Sequence, residues 1–349
     1  MDPGKADREF LDEHVLPYTG AQRDDVRLGP THGADFGVID VGDHVLAMAT
    51  DPLFVLRELG IDRAAWFAFH IIVSDVALSG IPPSHLSVDV NLPLDADERE
   101  FAEIWRVFDR EARDLDVRVV TGHTGAYAGC AYPTVGAATA LAVGDPDDLV
   151  LPTGAELGDR VIVTKGPAIE TTGILATLFG EHLDLPAETV DEARDRFWDT
   201  SPVQDALTAA AAGPVTAMHD ATERGLANGL HELAAASGVR LSVDASAVPI
   251  APGVRAICDA FDIDPWVSSS SGTVVMTVRP DGVDAVLSAL ADEDIPAGEA
   301  GVVEAGRGVS LDGDELPEPG SDPFWDAYET GVERWGIADG DETHGDGSA

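Results

Sequence analysis

The chain has 349 residues, and 64 acidic against 21 basic side chains give it a formal net charge of −43. This balance argues against a protein that grips nucleic acid through a basic face, and against a polybasic membrane anchor. Disorder also fits poorly, because 44% of the residues are hydrophobic and they fall in ordered runs. We expect a folded, soluble protein without nucleic-acid or membrane partners.

The basic residues are almost all arginine, since Lys5 and Lys165 are the two lysines. A protein this acidic repels itself in dilute buffer, whereas molar salt shortens the Debye length to about 3 Å. We therefore expect a cytoplasmic protein of a salt-loving organism that needs high salt to stay folded. The alternative is an acidic protein that binds cations or basic partners.

We expect neither a targeting segment nor a disulfide framework. The first 20 residues lack an apolar core, and no apolar run reaches the ~18 residues of a membrane span. Cys130 and Cys258 form no CxxC pair, which argues against a structural zinc site or a disulfide framework.

In the first half, strands alternate with helices. Apolar and alternating segments predict strands at 44–50, 84–92, 117–122 and 132–144, with the loop His123–Ala131 between the last two. Helical patterns cover 63–78, which is apolar nearly all round, and 96–115, which is amphipathic.

A polar, acidic segment with proline and glycine follows Gly144 and predicts a domain boundary. Beyond it we expect helices near 170–183, 201–212, 225–237, 252–262 and 281–293, and strands at 240–244, 272–278 and near 301–311. The mixed order favours an α+β fold. The predicted domains are residues 1–148 and 154–310.

The last segment, residues 311–349, is predicted to be an acidic tail. Its stretch DPFWDAYETGVERW is predicted to form one short helix, docked by Phe324, Trp325 and Tyr328.

Three aspartates stand out by position. Asp35 lies in the glycine-flanked loop GPTHGADFG, Asp51 follows an apolar strand, and Asp75 lies near the end of the buried helix 63–78. A carboxylate on a buried helix is costly unless it is paired or binds a metal. Mg²⁺ prefers a few carboxylates plus waters and phosphates, so convergence of the three would make a Mg–nucleotide site. Taken singly, each aspartate also fits a turn, a cap or a structural ion pair.

Further candidates lie in the polar loops. The glycines of TGHTGAYAG (121–129) permit close approach to a ligand, and His123 fits a ligand, a phosphate contact or an ordinary loop histidine. Lys165 follows a strand, where it suits either a ligand contact or a surface turn. Asp220 and Thr222 in MHDATERG are interpreted as N-cap residues, while SSSSG (268–272) fits a phosphate loop or a plain polar loop.

Taken in order, these segments resemble the aminoimidazole ribonucleotide (AIR) synthase superfamily, which includes the hydrogenase maturation protein HypE and thiamine-monophosphate kinase. The pieces that carry the resemblance are LGPTHGADFGVI, ATDPL, SDVALSGIPP, TGHTGAYAG, GDRVIVTKGPAIETTGILA, MHDATERGLANGLHELAAASG and SSSSGTVVMTV. They run from about Leu16 to Val278.

The resemblance implies a two-domain α+β protein whose N-terminal sheet pairs across a homodimer into a barrel-like core. It implies ATP- and Mg²⁺-dependent phosphoryl transfer to a small amide- or acid-bearing molecule. The alternatives are a non-catalytic nucleotide sensor on the same fold and a hydrogenase-maturation accessory protein.

By the same resemblance, each candidate residue acquires a role. The metal ligands would be Asp35, Asp51 and Asp75. The catalytic residues would be Asp51, Asp75 and His123. The residues that contact the nucleotide would be Asp35, Gly33, Gly122, Thr124 and Lys165.

The sequence departs from the family pattern at several points. Phe36 stands where an acidic or small residue is usual, Ser74 where asparagine is common, and Arg224 where glycine is usual. HypE itself ends in a cysteine that accepts a carbamoyl group, whereas this chain ends DETHGDGSA. We therefore expect a HypE-like relative that does not carry out that reaction.

Overall fold

The computed structural model describes residue 6 and residues 8–336, which form two β-sheets with helices packed against them. Within this part of the chain, no helix is both long and apolar enough to cross a membrane.

The N-terminal half forms a six-stranded sheet with the order β1-β2-β3-β6-β4-β5. Its strands are β1 (Val26–Leu28), β2 (Gly37–Val41), β3 (His44–Phe54), β4 (His85–Leu92), β5 (Arg118–Ala126) and β6 (Thr134–Gly144). Its helices are α1 (Arg8–His14), α2 (Ile61–Ala77) and α3 (Glu98–Asp114). The predicted helices 63–78 and 96–115 are thereby confirmed as α2 and α3.

The two faces of this sheet differ. Along β3, Val45, Ala47 and Ala49 are buried and face the helices, while the residues between them face the other side. That other side carries an apolar patch, in which Leu46 pairs with Ile39 and Val143.

The C-terminal half forms a seven-stranded mixed sheet with the order β13-β12-β9-β11-β7-β10-β8. Its strands are β7 (Arg160–Thr164), β8 (Val215–Asp220), β9 (Arg240–Val243), β10 (Val274–Val278), β11 (Ala297–Glu304), β12 (Gly308–Leu311) and β13 (Asp314–Leu316). Its helices are α4 (Ile169–Phe179), α5 (Ala187–Asp195), α6 (Val203–Ala212), α7 (Gly225–Ser237), α8 (Val254–Phe261), α9 (Val283–Asp292) and α10 (Pro323–Trp335). The two sheets and their helices bear out the predicted α+β class.

The two halves share a core and a polar joint. Ile162, Met218 and Met276 of the second sheet lie in the same hydrophobic cluster as the core of the first half. Beside it, buried His70 of α2 lies 2.8 Å from the Ser201 hydroxyl and 3.2 Å from Glu111. Burial lowers the pKa of His70, against the opposing effect of the Glu111 carboxylate. A neutral ring therefore donates to the carboxylate and accepts from the hydroxyl, which links the halves.

Two local expectations are corrected by the structure. His123 belongs to β5 and not to a loop, because β5 continues its parallel pairing with β4 as far as Ala126. Asp220 and Thr222 do not cap a helix, because Asp220 ends β8 and the N-cap position of α7 is Arg224.

The segment predicted to be a tail is partly built into the fold. The segment contains the last residue of β12 and the whole of β13. Its predicted helix is confirmed as α10. Phe324 is buried and Tyr328 packs beside it, as expected. Trp325 remains 37% exposed, and its ring contacts those of Phe324 and Tyr328 on the same helix. Residues 337–349 lie outside the described part.

Candidate functional site

The site begins where the loop before β2 crosses to the second half of the chain. Gly33 in this loop has φ +73°, and a β-carbon there would lie 2.4 Å from the Glu232 carbonyl oxygen of α7. Only glycine combines that conformation with so close an approach. The conformation of Gly33 carries the chain onto α7 and brings the following residues, including Asp35, to the end of β8.

His219 and Asp220 end β8 and are 1% and 2% exposed. The Asp35 Oδ2 atom lies 3.0 Å from His219 Nε2, and Glu232 Oε2 lies 3.6 Å from the same nitrogen. On the opposite side of the ring, Nδ1 lies 2.6 Å from the Asp220 backbone carbonyl oxygen. A carbonyl accepts only, so Nδ1 carries a proton and Nε2 faces the carboxylates.

The charge of His219 follows from these neighbours. Burial lowers the pKa of His219, but the carboxylates of Asp35, Glu232 and Asp220 together raise it by more, so the net shift is upward. A cation in this position, whether an imidazolium or a metal ion, offsets the repulsion between the carboxylates.

The same group of residues suits a divalent metal ion. Ligand atoms of Asp35, His219 and Asp220 all lie within 4.8 Å of one another. Carboxylates suit Mg²⁺ and Mn²⁺, and an imidazole nitrogen is a ligand that transition metals such as Mn²⁺ accept more readily than Mg²⁺. The bond from Nδ1 to the backbone already fixes the ring orientation that a metal-binding histidine requires. We call these three residues the Asp–His–Asp cluster.

The predicted trio of metal aspartates is assembled differently. Asp35 joins the Asp–His–Asp cluster, and this group includes neither Asp51 nor Asp75. His219 and Asp220 were missed as ligands, although a carboxylate at a strand end, the signal used for Asp51, applies to Asp220. Asp51 itself lies inside β3, which continues to Phe54, so its predicted place after a strand was wrong. Metal binding by Asp51 and Asp75 stays a prediction.

Sheet register separates two predicted catalytic residues. Asp51 of β3 is paired with Ala138 of β6, and Ala138 is also paired with Val88 of β4. Val88 is in turn paired with Gly122 of β5, so these four residues lie on one face of the sheet. His123 follows Gly122 and therefore lies on the other face. There it is exposed, and its Nε2 atom lies 2.5 Å from the Tyr127 hydroxyl.

Two residues of β5, Gly122 and Thr124, are predicted to contact the nucleotide. Both are exposed and lie on the same face of the sheet as Asp51. A β-carbon at Gly122 would lie 2.2 Å from the Val88 carbonyl oxygen, so close strand packing already requires this glycine. Nucleotide contacts by both residues remain predictions.

Lys165 is buried and already surrounded by acceptors. Its Nζ atom lies 2.8 Å from Asp205 Oδ2 and within 3.2 Å of the carbonyl oxygens of Asp199, Ser201 and Gly272. The ammonium thus neutralises a buried carboxylate and joins three segments, which is a structural role that the sequence did not reveal. Nucleotide binding by Lys165 remains a prediction.

Comparisons with known proteins place the whole arrangement in a family. Residues 33–143 match the model of the AIR synthase related protein N-terminal domain, and residues 156–314 match that of its C-terminal domain. The chain belongs to the AIR synthase-related family. Within it, Asp35 lies in the first matched stretch, and His219 and Asp220 lie in the second.

Relatives in the family have different activities. The chain is 31% identical to thiamine-monophosphate kinase of Halobacterium salinarum over 74% of this chain and 82% of that protein. It is 30% identical to carbamoyl dehydratase HypE of Rhizobium leguminosarum bv. viciae, over 64% of this chain and 62% of that protein. A crystal structure of the hydrogenase maturation protein HypE in complex with ATP superposes with a TM-score of 0.65 at 22% identity, covering 92% of this chain and 97% of the other.

The contacts of Lys165 lead to a stability prediction. Replacing Lys165 by Met leaves Asp205 buried without its countercharge, so we expect unfolding free energy to fall by about 3–5 kcal/mol. Urea unfolding in molar salt measures the loss. The double variant Lys165→Met/Asp205→Leu should recover part of it. A single variant as stable as the wild type but unable to bind ATP would show instead that the ammonium serves the ligand.

Proposed function

We propose that this protein is an ATP- and Mg²⁺-dependent phosphoryl-transfer enzyme that acts on a small amide- or acid-bearing metabolite. The observation that carries the proposal is the Asp–His–Asp cluster, which is assembled from both halves of the chain. Family membership and the ATP complex of a structural neighbour support the nucleotide.

In this proposal the chain's residues have defined tasks. Asp35 and Asp220 would supply carboxylate oxygens to the metal, and His219 would supply Nε2 while its Nδ1–H stays on the backbone carbonyl. A divalent ion held there would neutralise charge that develops on the transferred phosphoryl group. Asp51 and Asp75 are proposed as further metal or nucleotide carboxylates.

The carboxylates of the site give the metal a role in nucleotide binding. ATP is an anion, and molar salt screens its long-range repulsion by a chain of formal charge −43, whereas the carboxylates of Asp35, Asp220 and Glu232 act on a bound phosphate at close range. Attraction must therefore come from the cation held by the site and from local donors. We also propose that the surface charge is an adaptation to high salt.

One argument for the non-catalytic alternative was that Phe36 could disturb the nucleotide site. Phe36, a departure from the family pattern, is only 4% exposed and lies in the core cluster of the first half. The ring therefore packs and does not block the neighbouring Asp35. The hydrogenase-maturation alternative draws on relatives named HypE, and a substrate screen separates it from a kinase-like activity.

The function predicts ADP release from ATP in molar KCl with Mg²⁺ when a panel of small amides, acids and phosphorylated alcohols is supplied. Asp220→Asn, Asp51→Asn and Asp75→Asn should each lower turnover at least about 100-fold if each carboxylate serves the metal. Coupled detection of ADP measures the rates.

The matched control is Asp43→Asn, which removes one exposed carboxylate on a turn of the first sheet and should leave turnover unchanged. Failure of the wild type to bind ATP at millimolar concentration would refute the function. Tight binding without transfer would favour the sensor. Near-normal turnover of one Asn variant would remove that residue's assigned role.

We further propose that the protein is a homodimer through the open face of the first sheet. Val143 and Val41 on this face are 49% and 52% exposed, and they lie beside half-buried Leu46, Met48 and Leu141. A continuous apolar sheet face of this kind favours a partner, and a second copy presents the same surface.

Introducing a charge on this face should separate the dimer. Val143→Glu places like charges opposite each other at the interface, so sedimentation in molar salt should show a monomer where the wild type shows a dimer. Leu94→Glu, at a residue that is 71% exposed on a loop, is the control. A monomeric wild type, or a Val143→Glu dimer, would contradict the proposed interface.

A further inference from the structure

Helix α10 lies outside both stretches that match the family models, since the second of them ends at residue 314. It is firmly docked. Phe324 is 3% exposed, and a β-carbon at Gly331 would lie 2.5 Å from the Phe179 ring of α4. Trp335 packs against the same ring, with the centroids 5.6 Å apart. The helix is thus held along its length.

Asp322, at the N-cap of α10, joins the helix to two distant loops. Its carboxylate accepts from the Phe324 backbone N–H at 2.9 Å, which caps the helix. It also accepts from the Arg224 backbone N–H at 2.7 Å. Ser269 donates its hydroxyl at 2.6 Å and its backbone N–H at 3.3 Å. One carboxylate therefore receives four donors from three segments.

The loops that Asp322 joins are residues 221–225 and 268–272, which we call the paired loops. They also bond to each other, since Ser270 N–H donates to the Thr222 carbonyl at 3.2 Å. Ala221 N–H donates to the Thr273 carbonyl at 2.9 Å. Asp220 immediately precedes the first loop and is itself paired with Val274 of β10, so the loop adds a second restraint at the end of β8.

The first of the paired loops needs an external restraint. Arg224 has φ +62°, a left-handed conformation that costs a non-glycine residue about 1–2 kcal/mol. The bond from its backbone N–H to a carboxylate is charge-assisted and therefore strong. Asp322 thus stabilises a strained turn four residues beyond Asp220.

We propose that Asp322 is a positioning residue, which uses α10 to hold the paired loops and thereby sets Asp220 and His219 for a divalent cation. The inference rests on the proposed function, because it concerns the metal of the same site. Ligands held in place before the ion arrives lose less conformational freedom on binding, so affinity depends on this restraint.

The test is the Mn²⁺ affinity of the full chain in molar KCl, measured by electron paramagnetic resonance of the free ion. Asp322→Ser is the informative variant, because serine is a good N-cap for α10 but is too short to reach the paired loops. We expect its Kd for Mn²⁺ to rise about tenfold. The Asp220→Asn variant lacks one ligand of the cluster, so the Mn²⁺ that it still binds measures the contribution of carboxylates outside the cluster.

Asp326→Ser is the matched control, since Asp326 is exposed in the first turn of the same helix and its loss should leave the Kd unchanged. Ser269→Ala tests the same bond from the loop side without altering α10. It should weaken Mn²⁺ binding, and its effect should be less than additive with Asp322→Ser. Hydrogen exchange of residues 323–335 shows whether the helix stays docked.

The outcomes separate the two proposals. Equal Mn²⁺ affinity in the wild type, Asp322→Ser and Ser269→Ala would overturn the positioning role while leaving the metal site intact. A wild type that binds no more Mn²⁺ than Asp220→Asn would instead overturn the metal site and, with it, the proposed function. Weaker binding in Asp322→Ser and Ser269→Ala, but not in Asp326→Ser, would support the positioning role.

Discussion

A buried imidazole surrounded by carboxylates joins the two halves of this chain. His219 is 1% exposed and lies within 3.0 Å of an Asp35 oxygen from the other sheet's domain. Charges so far from water are tolerated only where opposite charges meet them. The constraint explains why the Gly33 loop crosses to α7, why the Nδ1 proton is bonded to the backbone, and why a divalent cation suits the place.

Much of the fold follows from local sequence patterns, whereas the site does not. The apolar and amphipathic periods of α2 and α3 predict those helices because each buries a face set by its own sequence. The Asp–His–Asp cluster depends on a loop that packs against α7 about 200 residues away, and no period in the sequence records that contact. Asp35 was identified, whereas His219 was assigned no role and Asp220 was interpreted as a helix cap.

Two further differences between the sequence-based predictions and the structure also arise from contacts between distant segments. His123 was placed in a loop because glycines surround it, but parallel pairing with β4 extends the strand through those glycines. Lys165 looked like a ligand contact because lysine is rare here, yet Asp205 and three carbonyl groups bury its ammonium. Conversely, Arg224 stands where the resemblance leads us to expect glycine, and its left-handed backbone is a conformation that glycine adopts without strain.

The central claim is that Asp35, His219 and Asp220 hold the catalytic divalent ion. Crystals grown with Mn²⁺ and a non-hydrolysable ATP analogue test it most directly, because anomalous scattering locates the metal without assumptions about activity. The account predicts a Mn²⁺ peak bonded to His219 Nε2 and to oxygens of both aspartates. A nucleotide-associated peak at Asp51 and Asp75, with none at His219, would contradict it.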